Sequence, residues 1–491
     1  MPREPFNLNP VQRDRAVGAL VATAAGDALG AGYRLKPPLT GERVDMIGRG
    51  AYAPGEWTDT TATAIAVAEI ASFTVDLTVA QRLEDLVQRW AWWARTAKSV
   101  GPQTAAVLAA IDGETDDLAR KLRDAAAALH ADTGRTLDAT CLTRAVPIAL
   151  ASLGPQDESS AIRTARTLCG LTHAGPDAAE ATVLLTLAIR HAVLTGELDI
   201  GIGLPHLEAN RRDVWYARIV ETEWAQLADV TQPDVTGDVV GVLQAARSAI
   251  TTTPVPRQDP RSGIFRADHL RLALEAAVRG GGHTATIGAV AGGLLGAAYG
   301  ASAIPWQWRS IVRGWPGLRA HGLSGLADTI VNGGDPRRLE SIGWWRDEPN
   351  PRRHPHDDGV WIGVAARLER LHPDVDAVVS LRPIPDEDMP AGVLHLELPL
   401  DNDAAHLDFV LLDAVRAIEA LRAQGMTVFL HGQDTRSRAP AVAALYGARR
   451  AGIDIDQALT EVCAVLPDAN PGDPLRAALH RLSPATERST R

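Results

Sequence analysis

Two different hydrophobic periods divide this chain of 491 residues. From Val11 to about Asn332, apolar residues recur at helical spacing, and Ala and Leu dominate the most regular segments. Beyond residue 358, short β-type runs alternate with helical patterns, which is the order expected of βαβ units. The sequence therefore predicts a multidomain protein, with an all-α domain over residues 1–332 and a small α/β domain over residues 358–491.

The intervening segment, residues 333–357, is rich in Gly, Pro, Arg, Asp and Trp and has no sustained apolar period. We predict a linker there, including the Arg-rich stretch Pro351–His356. In the α/β domain the pattern predicts strands over 376–381, 393–398 and 427–430, and helices over 360–371, 404–423 and 439–450.

Composition excludes several classes of function. The net charge of −11 opposes binding to nucleic acid or anionic lipid, and no run of about 18 apolar residues indicates a membrane span. The three cysteines form no Cys-x-x-Cys pair, so we expect reduced core thiols in a cytoplasmic protein.

The chain has three Lys and 46 Arg, and this Arg-rich, Ala-rich composition is typical of a GC-rich bacterial genome. Among the twelve Trp, we expect Trp90, Trp92 and Trp93 to pack between helices rather than stack on a base.

Three segments of the helical part combine small residues with oxygen-bearing side chains. GALVATAAGDALGAGYRL spans residues 18–35, GEWTDTTATAIAVAEI spans residues 55–70, and RGGGHTATIGAVAGGLLGAAYGASAIPWQWR spans residues 279–309. Gly-rich turns let backbone approach a ligand or a neighbouring helix, and both interpretations stay open for the first segment. At the start of the second helix, Thr58 and Asp59 either cap backbone N–H groups or bind a hard cation.

Together these segments resemble the ADP-ribosylglycohydrolase family over roughly residues 10–330. In that family the corresponding helix starts read Thr-Asp-Asp-Thr and Asp-x-Asp-Thr, and their oxygens hold two magnesium ions beside ADP-ribose. The resemblance implies an all-helical fold, remnant metal ligands at Thr58, Asp59 and Thr286, and an ADP-ribose site. The residues that it assigns to ADP-ribose are Asp27, Gly30, Arg144, Gly281 and Gly282.

The expected metal carboxylates are largely replaced in this chain. Thr60 stands where the second Asp belongs, and His283 and Ala285 replace both acids of the later motif. Magnesium prefers hard oxygen ligands and is poorly matched by an imidazole or a methyl group. Magnesium binding is therefore expected to be weak or absent.

Further departures fall at ligand-facing positions. Arg34 replaces a carboxylate, LDATCLTR over 137–144 keeps only Arg144 of a Gly-Asn-Gly-x-x-Met-Arg loop, and His173 belongs to an altered His-x-Asp-Pro motif. We expect His173 to be structural. His283 either caps its helix, contacts a ligand, or acts with Asp59 as an acid/base pair or a single transition-metal site. Asp59 and His283 are thus the catalytic candidates of this part of the chain.

A second motif, TVFLHGQDTRSRAPAVAALYGARR over residues 427–450, predicts a strand, a tight loop and a helix. Such a loop points backbone N–H groups at an anion, which Arg438 would clamp. The stretch resembles the His-Cys-x5-Arg signature of dual-specificity and tyrosine phosphatases, with His431 and Arg438 conserved and Gly432 in the Cys position. Because the thiolate is the attacking group, phosphatase activity is expected to be absent. The resemblance places a general acid at Asp401 or Asp403, and the loop either binds phosphate or is an inherited element without an occupant.

The sequence therefore predicts a protein that binds ADP-ribose or an ADP-ribosylated partner with weak or no turnover. One alternative is an active hydrolase that removes ADP-ribose from modified proteins. The other is a non-catalytic scaffold of two domains.

Overall fold

A computed structural model describes most of the chain. The described residues are 5–34, 36–39, 41–74, 76–224, 237–334, 350–364, 368, 371–382, 384, 389–390, 392–400 and 405–483. Their contacts divide the chain into two compact units. The first unit comprises Met1–Pro254, Leu270–Ile304 and Ile311–Pro336, and the second comprises Val255–His269, Pro305–Ser310 and Arg337–Arg491. The second unit is therefore discontinuous in sequence, whereas the sequence predicted two continuous domains.

The first unit is helical, as the apolar period predicts. Short 3₁₀ helices at Thr140–Arg144, Ile200–His206 and Ala301–Ala303 connect some of its longer elements. Helix α13 (Trp306–Ile311) lies mostly in the second unit. The longer helices and the small hairpin are α1 (Pro10–Ala31), α2 (Asp59–Ala71), α3 (Ala80–Ala94), α4 (Pro102–Ala109), α5 (Leu118–Thr133), α6 (Ala145–Leu150), α7 (Glu158–Gly170), α8 (Pro176–Thr195), α9 (Ala209–Trp224), α10 (Val239–Thr252), α11 (Asp268–Arg279), α12 (Thr284–Tyr299), β1 (Arg313–Gly314), β2 (Leu318–Arg319) and α14 (Ala320–Val331).

Helices α1 and α12 pack backbone against backbone at the centre of this unit. A Cβ atom built on Gly26 or Gly288 would overlap the carbonyl oxygen of the other glycine. One turn further along α12, a Cβ on Gly292 would overlap the carbonyl oxygen of Ala22. The glycines in both segments therefore serve close helix packing, which fixes the start of α12 beside the end of α1.

Helix α8 is long and apolar enough, by length and composition, to cross a membrane. Its most apolar window has a mean hydropathy of 1.3, and 72% of that window is buried inside the helical unit. Burial of this extent is typical of a core helix, and α8 packs against α6, α7 and α12.

The second unit is built on a five-stranded sheet. Its strand order is β3-β4-β7-β5-β6, with β3 antiparallel to β4 and the other neighbours parallel. In the register, Gly363 and Ser380 flank His431 on either side. The strands are β3 (Arg352–His354), β4 (Asp357–Val364), β5 (Ala377–Ser380), β6 (Leu394–Glu397) and β7 (Val428–Gly432), and the helices of this unit are α15 (Leu407–Ala423), α16 (Arg438–Ala451), α17 (Ile455–Val465) and α18 (Asp473–Leu482), with a 3₁₀ turn at Pro260–Ser262.

Two sequence predictions differ from this architecture. The predicted helix over 360–371 is wrong for residues 360–364, which belong to β4, because a short apolar run fits a buried strand as well as a helix. The predicted linker over 333–357 lies mostly outside the described residues. Its C-terminal part forms β3, in which Arg352 and Arg353 are exposed, whereas His354 is buried and accepts a hydrogen bond at Nδ1 from His356 N.

Asp413 is an ionisable group in the core of the second unit. It lies on α15 and accepts a hydrogen bond from Trp306 N at 2.8 Å. Burial raises the pKa of Asp413 to about 7, although that hydrogen bond and the charges of Arg416 and Arg309 oppose the shift. The folded unit therefore favours the neutral carboxyl, which ionises near pH 4 in an unfolded chain.

We expect Asp413→Asn to stabilise the protein at high pH. Between about pH 4 and pH 7 the unfolded chain loses a proton that the folded chain keeps, so the native protein loses stability as the pH rises. The amide keeps an acceptor for Trp306 N and cannot ionise, so urea denaturation at pH 8 should show a gain of about 2–4 kcal/mol. The gain should vanish near pH 4, and exposed Asp473→Asn is the control. A gain of equal size at both pH values would contradict the prediction.

Candidate functional site

Asp27, near the end of α1, organises the start of α2. The carboxylate is fully buried and accepts four hydrogen bonds. Thr58 donates from its backbone N at 3.1 Å and from Oγ1 at 2.8 Å, and Thr61 donates from N at 3.0 Å and from Oγ1 at 2.6 Å. Burial raises the pKa of Asp27 to about 7, against the hydrogen bonds from Thr61 and Thr58. Asp27 therefore holds Thr58, the N-cap of α2, in place.

The next residues of α2 face the start of α12. Thr60 Oγ1 and Thr286 Oγ1 lie 3.2 Å apart and share a hydrogen bond, and both side chains are buried. Thr143 Oγ1 donates to the carbonyl of Thr60 at 2.8 Å. The structure thus brings Thr58 and Thr286, two of the predicted remnant metal ligands, close to Thr60, which stands at a position where the family has an acid.

Asp59 lies on the other side of this helix start, next to a carboxylate that the sequence analysis did not select. A Cβ built on Gly101 would lie 3.1 Å from Asp59 Oδ2 and 2.6 Å from Asp138 Oδ2. Only glycine leaves room for this pair of carboxylates. Asp138 lies just before the 3₁₀ helix Thr140–Arg144, within the segment LDATCLTR.

The two carboxylates have opposite pKa shifts. Burial raises the pKa of Asp59 to about 6, and the charge of Asp138 adds to this rise. Burial alone would raise the pKa of Asp138 as well. The hydrogen bond and charge of His173, together with hydrogen bonds from Thr140, outweigh burial and hold the pKa of Asp138 well below its usual range. Two adjacent carboxyl groups with separated pKa values are a recurring arrangement in acid/base sites.

A series of hydrogen bonds between buried polar side chains holds Asp138 in place. His173 Nε2 lies 3.2 Å from Asp138 Oδ1, and His173 Nδ1 lies 2.7 Å from Thr172 Oγ1. Arg144 donates to Thr172 Oγ1 at 2.7 Å, is fully buried, and stacks with its guanidinium carbon 4.2 Å from the ring centroid of Trp90. His173 therefore links Asp138 to Thr172 within the core, and its structural role stays a prediction. The contacts described for Arg144 are to protein groups, and its role in binding ADP-ribose stays a prediction.

The remaining predicted residues lie around the start of α12. Gly281 and Gly282 have positive φ angles of 79° and 69°, so the turn before α12 requires glycine. Gly30 packs against Thr284, whose Oγ1 donates to Gly30 O at 2.7 Å. His283 occupies the N-cap position without a side-chain cap hydrogen bond, and burial and Arg34 lower its pKa, against the charge of Asp138.

In the second unit, the predicted phosphate loop follows β7. His431 is fully buried, and its pKa is lowered to about 4 by burial, so the ring is neutral. His431 Nδ1 lies 3.1 Å from Gly432 O, which can only accept, so Nδ1 carries the proton. His431 Nε2 then accepts from Ser380 Oγ at 2.7 Å, and that hydroxyl in turn accepts from His395 Nε2 at 2.8 Å. These hydrogen bonds fix the end of β7, where the loop begins.

The loop itself contains an acid among its basic residues. Asp434 Oδ1 accepts from Arg436 N at 3.0 Å, so this N–H is already used within the loop. Arg438 is the first residue of α16, and its role as an anion clamp stays a prediction. Asp401 and Asp403, the predicted general-acid positions, lie outside the described residues.

We expect Gly432→Cys to fold and to gain slow hydrolysis of p-nitrophenyl phosphate. Gly432 has no positive φ angle, and a Cβ there would lie 3.1 Å from Asp434 O, which requires a small shift. The stability loss should be about 1 kcal/mol. Gly432→Ala adds the same Cβ without a thiol and should stay inactive. A folded Gly432→Cys variant with no more activity than Gly432→Ala would show that the loop does not present phosphate to this position.

The sequence pattern of the ADP-ribosylglycohydrolase family matches residues 8–339. The chain belongs to this family. No curated protein sequence matched the chain.

Several solved structures resemble parts of this ADP-ribosylglycohydrolase family member. An "ADP-ribosylglycohydrolase-related protein complex" shares 26% identity, covers 67% of this chain and 100% of its own, and has a TM-score of 0.49. Human DUSP28 shares 23% identity over 28% of this chain and 93% of its own, with a TM-score of 0.25. DUSP15 shares 18% identity over 26% of this chain and 84% of its own, with a TM-score of 0.24.

The donor set of this family member does not fit a two-magnesium centre. Around the starts of α2 and α12 the side chains offer the hydroxyls of Thr60 and Thr286, the imidazole of His283 and the carboxylate of Asp59. Asp27 already accepts four protein hydrogen bonds. Within the described ranges, no group of three or more His, Cys, Asp and Glu side chains is placed to hold a metal ion. The nearby carboxylate of Asp138 is already hydrogen-bonded by His173, Thr140 and Gln103 N. Asp59 with neutral hydroxyls and an imidazole is a weak ligand set for two magnesium ions.

Proposed function

We propose that the helical unit binds ADP-ribose, or the ADP-ribosyl group of a modified protein, without magnesium-dependent turnover. Family membership supports the ligand class. The observation that carries the proposal is the hydrogen bond between Thr60 and Thr286, in which hydroxyl groups at the starts of α2 and α12 bond to one another. The scaffold that positions these helix starts is intact, since Asp27 anchors Thr58 and the glycines bring α1 against α12.

The direct test is calorimetric titration of ADP-ribose into the full-length protein, with magnesium and again with a chelator. We expect the same Kd, within about twofold, under both conditions, because the residues present do not form a magnesium centre. Gly101→Ala should weaken binding at least tenfold, since the added methyl group would lie 2.6 Å from Asp138 Oδ2. Binding that requires magnesium would contradict the proposal, and no binding would favour the scaffold alternative.

A second candidate is metal-independent hydrolysis of the ADP-ribosyl bond. It is favoured by Asp59 and Asp138, which lie on either side of Gly101, because paired carboxylates are the groups that glycoside hydrolysis uses. Release of ADP-ribose from modified proteins in the presence of a chelator, lost in Asp138→Asn, would support this candidate. Binding without release in the same assay would support the non-hydrolytic proposal.

For the second unit, we propose that the loop from Gly432 to Arg438 has no phosphatase activity by the cysteine route. Glycine offers no nucleophile, and the described cysteines are Cys141, Cys169 and Cys463, none of which belongs to this loop. Assay of the native protein with p-nitrophenyl phosphate tests this, and turnover above that of heat-denatured protein would contradict it.

A further inference from the structure

A cavity of about 580 Å³ lies in the helical unit beside Asp59. Its walls come from the segment before α2, the segment that follows α3, and the β1–β2 hairpin. At one place it is lined by Thr58, which is only 9% exposed, and at others by the exposed residues Lys98 and Pro316. The cavity therefore connects the start of α2 with solvent and offers an approach to Asp59.

Two side-chain contacts join two walls of this cavity. Lys98 Nζ donates to both carboxylate oxygens of Glu56 at 2.7 Å. Tyr52 Oη and Ser99 Oγ lie 2.7 Å apart and share a hydrogen bond. Lys98 Nζ also lies 5.9 Å from the centroid of the Tyr52 ring, within the range of a cation–π contact. These four side chains connect the segment before α2 to the segment between α3 and α4, and we call them the clasp.

The two segments that the clasp joins are anchored to different degrees. The segment before α2 pairs with β1, because Arg313 N donates to Gly55 O at 2.8 Å and Trp57 N donates to Arg313 O at 3.0 Å. Among the described residues, no backbone–backbone hydrogen bond involves residues 97–100. Residues 97–100 are therefore the part that moves if the clasp opens.

The ion pair of the clasp persists at neutral pH but is weak. Burial acts to raise the pKa of Glu56, but the hydrogen bond from Lys98 and the charge of Arg313 outweigh it and lower the pKa, so the carboxyl stays ionised. The Lys98 side chain is 43% exposed, and ion pairs this close to solvent add little stability and are screened by salt. Such a contact opens readily.

The clasp lies close to the carboxylate pair in sequence as well as in space. Glu56 is three residues before Asp59, and Ser99 is two residues before Gly101, which lies between the carboxylates of Asp59 and Asp138. A movement of residues 97–100 would therefore change access to Asp59 directly.

We propose that the clasp is a gate: closed, as in this structure, it covers the approach to Asp59, and its opening admits and releases the ligand. The identity of that ligand, the ADP-ribosyl group, rests on the proposed function. The contacts of the clasp do not involve the ligand, so they affect the rates of entry and exit rather than the Kd.

The first test measures access to the cavity without ligand. Ala62 on α2 lines the cavity and is 3% exposed, so the Ala62→Cys variant reports entry of iodoacetamide, a small neutral thiol reagent. The full-length protein carries Cys463→Ala as well, since the other native cysteines are buried. Lys98→Gln combined with Ser99→Ala should speed labelling about fivefold or more.

A matched control and a change of salt sharpen this test. Lys121→Gln breaks a comparable ion pair, with Glu114, elsewhere in the helical unit and should leave the labelling rate within about 1.5-fold. Salt at about 0.5 M should speed labelling of the protein that keeps the clasp, but not of the double variant. Thermal denaturation of each variant checks that it folds, and Lys98→Gln alone should give a smaller increase.

The second test measures ADP-ribose binding to the full-length protein by stopped-flow fluorescence. The double variant should associate and dissociate about fivefold faster, with a Kd within about twofold of the native value. Unchanged labelling would overturn the clasp, and faster labelling with unchanged ADP-ribose rates would overturn its role as a gate for this ligand. Absence of ADP-ribose binding to the native protein would contradict the proposed function, whereas labelling would still decide whether the clasp closes the cavity.

Discussion

Gly292→Ala should destabilise the protein by more than about 3 kcal/mol, the largest effect that we expect from one added methyl group. The Cβ would overlap the carbonyl oxygen of Ala22 on α1, and backbone cannot move aside as a flexible side chain can. Separation of α1 from α12 would loosen the packing along both helices.

The matched control is Gly325→Ala in α14, where a Cβ would have no atom within 4 Å. Alanine in place of an unconstrained helical glycine stabilises by about 0.5–1 kcal/mol. The same chemical change should therefore have opposite signs at the two positions. Urea denaturation followed by circular dichroism measures both, and a Gly292→Ala loss below 1 kcal/mol would contradict the packing described here.

Asp27→Ala should cause a loss of stability of similar size, about 3–5 kcal/mol. It removes the acceptor for two backbone N–H groups and two hydroxyls of Thr58 and Thr61, in a site without solvent exposure. Asp27→Asn keeps one oxygen acceptor and should lose about 1–2 kcal/mol.

Both Asp27 variants should also weaken ADP-ribose binding, because Thr58 then no longer fixes the start of α2. Chemical denaturation and ADP-ribose titration measured on the same preparations relate stability to binding. Equal stability losses for Asp27→Ala and Asp27→Asn would show that the four hydrogen bonds do not determine the effect.

The sequence predicted the broad fold because its apolar periods are long and regular in the helical unit. It also located the strands around 377–380, 394–397 and 428–432, which lie between clear helical patterns. Residues 360–364 were assigned wrongly, since a run this short carries no decisive period.

The candidate site was only partly accessible to sequence reasoning. Thr58, Thr60 and Thr286 were found because they lie at helix starts with a distinctive pattern. The sequence analysis did not select Asp138. The pattern Asp138-Ala-Thr140 did offer a signal, since an Asp that precedes Thr by two residues commonly accepts a hydrogen bond from the Thr N–H, as it does here at 3.0 Å. Its proximity to Asp59 depends on Gly101, and packing between distant segments cannot be read from local periodicity.

The discontinuous second unit has a consequence for dissection of the gene. Val255–His269 and Pro305–Ser310 pack with the C-terminal residues, where Phe265 meets Phe409 edge to face and Trp306 N bonds Asp413. A truncation after residue 336 would strip these two segments of their partners and leave aromatic surface uncovered, and a fragment starting at residue 337 would lack part of its own core. Neither fragment matches the residues of one unit. Recombination that exchanged the C-terminal region would therefore have to preserve the surfaces of Val255–His269 and Pro305–Ser310 that pack against it.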